Sequence, residues 1–177
     1  MSSAAVARDL IARGVTSPAK LGCQGGSNGG LLTGNMLARP TAGAALFGAI
    51  VCQVPLLDMK RFNLLLAGAS WMGEYGNPET DDWEFLQRYS PYHNVDAGTA
   101  YPPILVTTST RDDRVHPGHA RKLVGKLLDV GKTETTFYYE NIEGGHGGAA
   151  NNKQRAFMST LAYEFLEQKL TGKSCEA

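Results

Sequence analysis

Apolar residues recur along the chain at spacings that predict short strands separated by helices. Four short stretches predict strands, at residues 20–24, 49–54, 104–109 and 136–140. Between and around them, apolar residues fall three and four positions apart, which predicts helices at 3–13, 28–37, near 82–89, from Pro117 to a stop at Gly131, and at 152–170. Continuously apolar runs such as 104–106 are typical of strands that are buried on both faces.

The longer predicted helices each have one face that we expect to point inward. The residues expected there are Val6, Leu10 and Ile11 in the first helix, Leu31, Leu32 and Met36 in the second, and Phe157, Leu161, Phe165 and Leu166 in the last. Strands that alternate with helices favour a parallel sheet with helices against it. The sequence therefore predicts an α/β fold of about four mostly parallel strands with helices on both faces, which is few strands for a doubly wound enzyme.

Composition and charge exclude several classes of protein. Of the 177 residues, 42% are hydrophobic and 19% are charged, which is enough apolar material for the core of one domain. Lys plus Arg number 17 and Asp plus Glu number 17, so no basic surface for nucleic acid or for a membrane is expected. No signal-peptide core or bilayer-spanning run is present, so we expect a cytoplasmic protein.

The cysteines predict neither a metal site nor a disulfide framework. Cys23, Cys52 and Cys175 are an odd number, and none stands in a C-x-x-C spacing. Cys23 and Cys52 lie in apolar stretches and are expected to be buried thiols. We expect no metal and no cofactor.

One glycine-rich stretch has the spacing of a nucleophilic serine. Residues 25–29 read G-G-S-N-G and match G-x-S-x-G, with a predicted strand before Ser27 and a predicted helix after it. A serine on such a turn needs neighbours that are almost free of side chains, and the helix start behind it directs N–H groups at developing negative charge. Because the chain has 21 glycines, a chance match is also possible, and the alternative is an ordinary turn.

An acid and a histidine follow the serine in the order that such hydrolases use. Asp112 comes after the third predicted strand and His146 lies in a glycine-rich loop after the fourth, so both fall where parallel strands end. The competing acids are Asp58 and Asp113, and the sequence alone leaves open which carboxylate faces the imidazole. The other histidines compete poorly; they are His93, His116 and His119.

Seven motifs in the same order make the chain resemble the catalytic domain of the prolyl oligopeptidase family. They are GGSNGGLL at 25–32, DMKRF at 58–62, Trp71 with EYG at 74–76, YSPYHNV at 89–95, YP at 101–102, DDRV at 112–115 and GGHG at 144–147. The resemblance extends from about residue 5 to about residue 170. It implies an α/β-hydrolase fold and cleavage of short peptides after proline.

The resemblance also implies a role for each matching residue. Ser27 would be the nucleophile, Asp112 would orient His146, and His146 would move the proton. The backbone N–H of Asn28 would bind the oxyanion. Trp71 would stack on the substrate proline, and Arg114 would bind the preceding carbonyl. A salt bridge from Arg114 to Asp113 is the alternative interpretation, and the two roles are compatible. Further pocket walls would be Leu56, where the family often has valine, together with Tyr75 and Val115.

Compared with the family, the chain looks like the C-terminal portion only. We expect residues 1–177 to form a single partial catalytic domain, a truncated α/β-hydrolase without a propeller. An upstream tyrosine that the resemblance implies as second oxyanion donor has no counterpart here. The strand before Ser27 would then be a sheet edge, and an apolar edge favours pairing. A homodimer, or a complex with a complementing chain, is expected through this edge.

The expected function is therefore that of a serine hydrolase with an acyl-enzyme on Ser27. Its substrates would be proline-containing peptides, cleaved after proline, and short activated esters. The alternatives are a carboxylesterase without peptidase activity and a catalytically inert fragment that acts as an assembly module. A nucleotide-binding loop is disfavoured, because the G-x-G-x-x-G spacing and the Lys-Ser/Thr of a P-loop are missing.

Overall fold

Four parallel strands form the centre of the computed structural model, which describes residues 3–39 and 45–173. Cys175 lies outside the described residues. The strands are β1 (Gly22–Gly26), β2 (Ala49–Gln53), β3 (Ile104–Ser109) and β4 (Thr136–Asn141), and they stand side by side in chain order. Every pairing is parallel. The prediction of about four mostly parallel strands is confirmed.

Helices lie against both faces of this sheet. In chain order the helices are α1 (Ser3–Ala12), α2 (Asn28–Ala38), α3 (Met72–Tyr75), α4 (Trp83–Leu86), α5 (Gly118–Asp129) and α6 (Asn152–Thr171). Of these, α1, α2 and α5 pack on one face and α6 on the other, whereas the short α3 and α4 belong to the chain that covers the end of the sheet. The described residues also form six 3₁₀ turns, at Pro18–Lys20, Phe62–Leu64, Leu66–Trp71, Gln87–Tyr89, Pro91–Asn94 and Thr133–Thr135. None of the helices in the described part of the chain has an apolar stretch that could cross a lipid bilayer.

Alternate strand residues feed two separate cores, as the two-residue period of a strand requires. Ile50, Cys52, Ile104 and Val106 face one side, where α1, α2 and α5 pack. Ala49, Val51 and Leu105 face the other side, where α6 contributes Ala162 and Phe165. Since both faces are covered, β2 and β3 are almost completely buried, and each begins with a continuously apolar run, at 49–52 and 104–106.

A third apolar cluster covers the end of the sheet where the strands finish. The chain between β2 and β3 folds over this end as short helical turns. Its buried members are Leu31, Leu56, Met59, Phe62, Leu86 and Val115, and Trp71, Met72, Tyr75, Trp83 and Tyr89 pack on them. This cluster places the 71–75 segment above the turn that follows β1.

The helix faces were predicted less well than the helices. In α1 the buried residues are Ala4 and Ala7, while Val6 is 45% exposed. Leu32 in α2 and Phe157 in α6 are also exposed, and Met158 and Ala162 replace Phe157 on the inner face of α6. The small alanine side chains let these helices approach the sheet closely. A prediction that looks for large apolar residues overlooks such alanines.

Candidate active site

Ser27 occupies a strained turn between β1 and α2. Its φ of 58° and ψ of −116° lie where residues with a side chain are rarely found. A Cβ on Gly25 would lie 2.3 Å from the carbonyl oxygen of Gly29, so residue 25 has to be glycine for the turn to close. The N–H of Ser27 donates to the Gln53 carbonyl at 2.9 Å, which ties the turn to β2.

Ser27, His146 and Asp112 are hydrogen-bonded in a row. His146 Nε2 lies 3.0 Å from Ser27 Oγ. On the other side of the ring, His146 Nδ1 lies 2.9 Å and 3.0 Å from the two oxygens of Asp112. An imidazole in this position can accept a proton from the hydroxyl while the carboxylate stabilises the resulting charge.

Backbone amides fix the carboxylate of Asp112. The N–H groups of Arg114 and Val115 each donate to Asp112 Oδ1 at 2.9 Å, in the turn between β3 and α5. The Asp112 side chain is buried, whereas its neighbour Asp113 is exposed. The turn therefore directs Asp112, and not Asp113, towards the imidazole.

The loop that carries His146 is held by Asn141, the last residue of β4. Asn141 Oδ1 accepts from the N–H groups of Glu143 and Gly144, at 2.9 Å and 3.1 Å. Its Nδ2 donates to the Gly148 carbonyl at 3.0 Å. The sequence analysis missed this buried residue, although an asparagine between a strand and a glycine-rich loop is a recognisable turn signal.

The competing acid and histidines lie elsewhere. Asp58 is buried, and its carboxylate accepts from Lys122 Nζ and from the N–H of Lys60. His93 Nδ1 is 2.8 Å from Ser90 Oγ, and His116 Nδ1 accepts from the N–H of Gly118. His119 is buried beneath the loop that follows β2.

Asn28, the first residue of α2, stands beside Ser27 at the helix start. The first N–H groups of a helix have no carbonyl partner one turn earlier, so they can bind negative charge. Tyr75 Oη donates to Asn28 Oδ1 at 2.9 Å. Burial, together with the nearby carboxylate of Glu74, raises the pKa of Tyr75 to about 12, so the hydroxyl remains protonated and can donate.

A cavity of about 150 Å³ opens next to Ser27. It is lined by Ser27, Asn28, Leu56, Trp71, Glu74, Tyr75, Arg114 and Val115. The structure thus brings every proposed pocket residue to one place. Glu74 was missed, although it lies three positions after Trp71, a spacing at which helical side chains are neighbours.

The Arg114 side chain faces the cavity beside Ser27. Among the described ion pairs, none joins Arg114 to Asp113.

A larger depression of about 590 Å³ lies between β4 and α6, lined by residues such as Tyr139 and Phe157. Ser27, Asp112 and His146 do not line it.

Comparison with known proteins matches nearly the whole chain. The model of the prolyl oligopeptidase family matches residues 3–173. An uncharacterized peptidase, y4nA, of Sinorhizobium fredii is 53% identical over 168 residues, which are 94% of this chain and 22% of that protein. A prolyl endopeptidase of Elizabethkingia meningoseptica is 38% identical over 149 residues, 82% of this chain and 21% of its own.

Solved structures of related proteins have the same fold as this chain. A post-proline cleaving enzyme from Rickettsia typhi superposes with a TM-score of 0.88 at 39% identity, over 94% of this chain and 24% of that one. One of two prolyl endopeptidases from a study of inter-domain dynamics gives a TM-score of 0.86 at 39% identity, over 96% and 25%. The fold is that of the α/β-hydrolase domain in these structures, and the chain spans about a quarter of their length.

Proposed function

The chain belongs to the prolyl oligopeptidase family of serine peptidases, and we propose that it hydrolyses peptide bonds after proline through an acyl-enzyme on Ser27. The observation that carries this proposal is the hydrogen-bonded row Ser27–His146–Asp112 beside a cavity lined by Trp71. The named relatives that are prolyl endopeptidases support the choice of substrate.

In the proposed reaction, His146 Nε2 takes the proton of Ser27 as Oγ attacks the scissile carbonyl. Asp112 holds Nδ1–H and stabilises the imidazolium. The N–H of Asn28 binds the oxyanion of the tetrahedral intermediate. His146 then gives the proton to the leaving amine, the C–N bond breaks, and an ester on Ser27 remains. Water, deprotonated by the same imidazole, hydrolyses this ester and restores the hydroxyl.

The proposed selection of proline depends on the apolar walls of the cavity. A proline ring is compact and apolar, and proline has no N–H in a peptide, so the ring fits against the indole of Trp71 without leaving a polar group unpaired. The remaining walls are Leu56, Tyr75 and Val115. Arg114 at the same cavity would donate to the carbonyl of the residue before proline.

We also propose that short activated esters are substrates. Within the residues that the structure describes, the proposed oxyanion site has one identified donor, the N–H of Asn28, and loss of one donor typically costs about 10² to 10³ in turnover. Esters with good leaving groups need less help from the oxyanion site and no proton from His146. They should therefore be cleaved faster than amides.

A fluorophosphonate probe tests the nucleophile. We expect covalent labelling of the folded chain at Ser27, detected by mass spectrometry, and its loss in Ser27→Ala. Ser17→Ala, at an exposed serine outside the cavity, should label like the wild type. A folded chain that takes up no probe would contradict the proposal and favour an assembly module.

Parallel assays with a prolyl anilide peptide and a short p-nitrophenyl ester test the substrate. We expect both to be cleaved and the ester to react faster. Ester cleavage without any anilide cleavage would reduce the function to that of a carboxylesterase, and a faster reaction with the anilide would overturn the ester preference.

A further inference from the structure

The loop after β2 lies directly against the turn that carries Ser27. The N–H of Leu56 points at the Ser27 carbonyl at 3.5 Å, and Leu56 forms a wall of the cavity. A Cβ on Gly30 of α2 would lie 2.6 Å from Pro55, so the loop and α2 are in close contact. The position of this loop therefore sets the shape of the cavity next to the nucleophile.

The loop begins with a strained residue and so needs support. Val54 has a φ of 38°, a left-handed conformation that is costly for a β-branched residue. Such a conformation persists only where the surrounding structure fixes it. Side chains from other elements supply much of that support: Ser90 Oγ accepts from the N–H of Met59 at 3.0 Å.

His119 supports the centre of the loop. Its Nδ1 accepts from the N–H of Asp58 at 3.1 Å and lies 3.4 Å from the N–H of Leu57. The side chain is 1% exposed, so no water can replace this acceptor without opening the fold. His119 is in the first turn of α5, four residues after Val115, and thereby connects the turn of Asp112 to the loop of Leu56.

The two N–H donors also define the state of the ring. Because backbone amides can only donate, Nδ1 must carry a lone pair, and the proton must be on Nε2. Burial lowers the pKa of His119 to about 4, so the ring is neutral near pH 7. An acceptor at the position of Nδ1 is what the loop requires.

We propose that His119 is a positioning residue for the proline pocket: its Nδ1 holds the backbone of Leu57 and Asp58 and thereby fixes the Leu56 wall beside Ser27. His119 does not contact the reacting atoms. The proposal rests on the proposed function for its effect on substrate, and its effect on the loop stands independently.

Two amide variants of the full chain separate the acceptor from the bulk of the side chain. His119→Asn places a carbonyl oxygen close to the position of Nδ1, whereas His119→Gln carries the same group one carbon farther out. We measure amide hydrogen exchange at Leu57 and Asp58, and the rates of labelling by a prolyl phosphonate and by a small fluorophosphonate. Near-UV circular dichroism checks that each variant is folded.

The expected results differ between the two variants. In His119→Gln, exchange at Leu57 and Asp58 should become faster, and labelling by the prolyl phosphonate should fall by about tenfold or more, with a smaller loss for the small probe. In His119→Asn, the exchange rates at Leu57 and Asp58 and the labelling rates should stay within about threefold of the wild type. Equal exchange and labelling rates in the two variants, or exchange in His119→Gln as slow as in the wild type, would overturn the proposal.

One measurement uses the wild type alone and therefore does not depend on whether either variant folds. The ¹⁵N NMR spectrum of the wild type should show His119 as the neutral tautomer with the proton on Nε2, and a proton on Nδ1 would overturn the proposal. If the wild type takes up neither probe, the proposed function fails, and exchange together with the tautomer still decides whether His119 holds the loop.

Discussion

At the scale of single residues, the ends of β1, β3 and β4 bring Ser27, Asp112 and His146 into one hydrogen-bonded row. Ser27, an acid and His146 follow three predicted strands, and parallel strands bring their ends together. The residues by themselves left the choice among Asp58, Asp112 and Asp113 open, and the family resemblance favoured Asp112. The structure supplies the physical reason for that choice. The choice depends on which carboxylate accepts the N–H groups of residues 114 and 115, a feature of the turn that composition does not encode.

Residues that position other residues were the hardest to predict from the sequence. Asn141 and His119 hold backbone segments, and their partners are N–H groups that any residue could supply. The sequence therefore indicates where chemistry is concentrated more clearly than it indicates what supports it.

The Trp71 side chain is expected to distinguish proline substrates from small esters. Trp71→Ala removes the apolar ring from the cavity, so KM for a prolyl anilide should rise by about fivefold or more, since such aromatic contacts contribute about 1 kcal/mol beyond the area they bury. The rate with a small ester should change by less than about threefold. Steady-state kinetics on both substrates measures this. A loss shared equally by both would mean that Trp71 serves the fold and not the pocket.

His119 is also expected to make the fold sensitive to acid. Its folded pKa of about 4 lies below the ordinary value of 6.5, mainly through burial. Asp58 and Asp112 oppose this lowering, and His116 and Lys122 reinforce it. Between these values the unfolded chain binds more protons, so the free energy of unfolding should fall as the pH falls from about 6.5 towards 4.

Urea unfolding over this pH range measures the effect in the wild type and in His119→Asn. The asparagine does not titrate, so the variant should lose stability less steeply in this window. Parallel curves for the two proteins would show that His119 is not the group responsible.

At the scale of helices and strands, periodicity located the elements and misplaced some of their ends and faces. β1 was predicted at 20–24 and is found at Gly22–Gly26, because Pro18–Lys20 form a 3₁₀ turn and the ladder with β2 continues into the glycines. Strand residues pair through the backbone, so a glycine pair can extend a strand that side-chain pattern alone would end.

The turn between β1 and α2 is expected to tolerate a methyl group at one glycine and not at another. Gly25→Ala would place its Cβ 2.3 Å from a backbone oxygen that cannot move without opening the turn, so Ser27 labelling should fall by about 10² or more. Gly29→Ala has no atom within 4 Å of the new Cβ and should label like the wild type. Equal labelling rates in the two variants would show that the turn is not held by this contact.

At the scale of the whole molecule, the open edge of the sheet is the feature with the clearest consequence for assembly. β1 stands at one end of the strand order, and among the described residues β2 is its only neighbour. Beside it is a cavity of about 250 Å³ lined by apolar residues that include Val6, Leu10, Leu21, Cys23 and Phe47. Unpaired backbone next to apolar surface favours pairing with another chain.

We therefore expect the chain to form a dimer through the β1 edge. Size-exclusion chromatography with light scattering at micromolar concentration should show twice the mass of the chain. Val6→Glu, at the cavity, should shift the population towards monomer. Val15→Glu, at another exposed valine that does not line the cavity, should not. A wild-type monomer would contradict this expectation.

The covering of the sheet by α6 affects how the chain folds as it is synthesised. The strands stand in chain order, so each can pair with its predecessor as soon as it leaves the ribosome. Among the described residues, however, the face of Ala49, Val51 and Leu105 is covered by α6, which comes after all four strands. At about 5–20 residues per second, an unfinished sheet would expose this apolar face to solvent for seconds. During that interval a chaperone that binds apolar segments would have its best opportunity to engage the nascent chain.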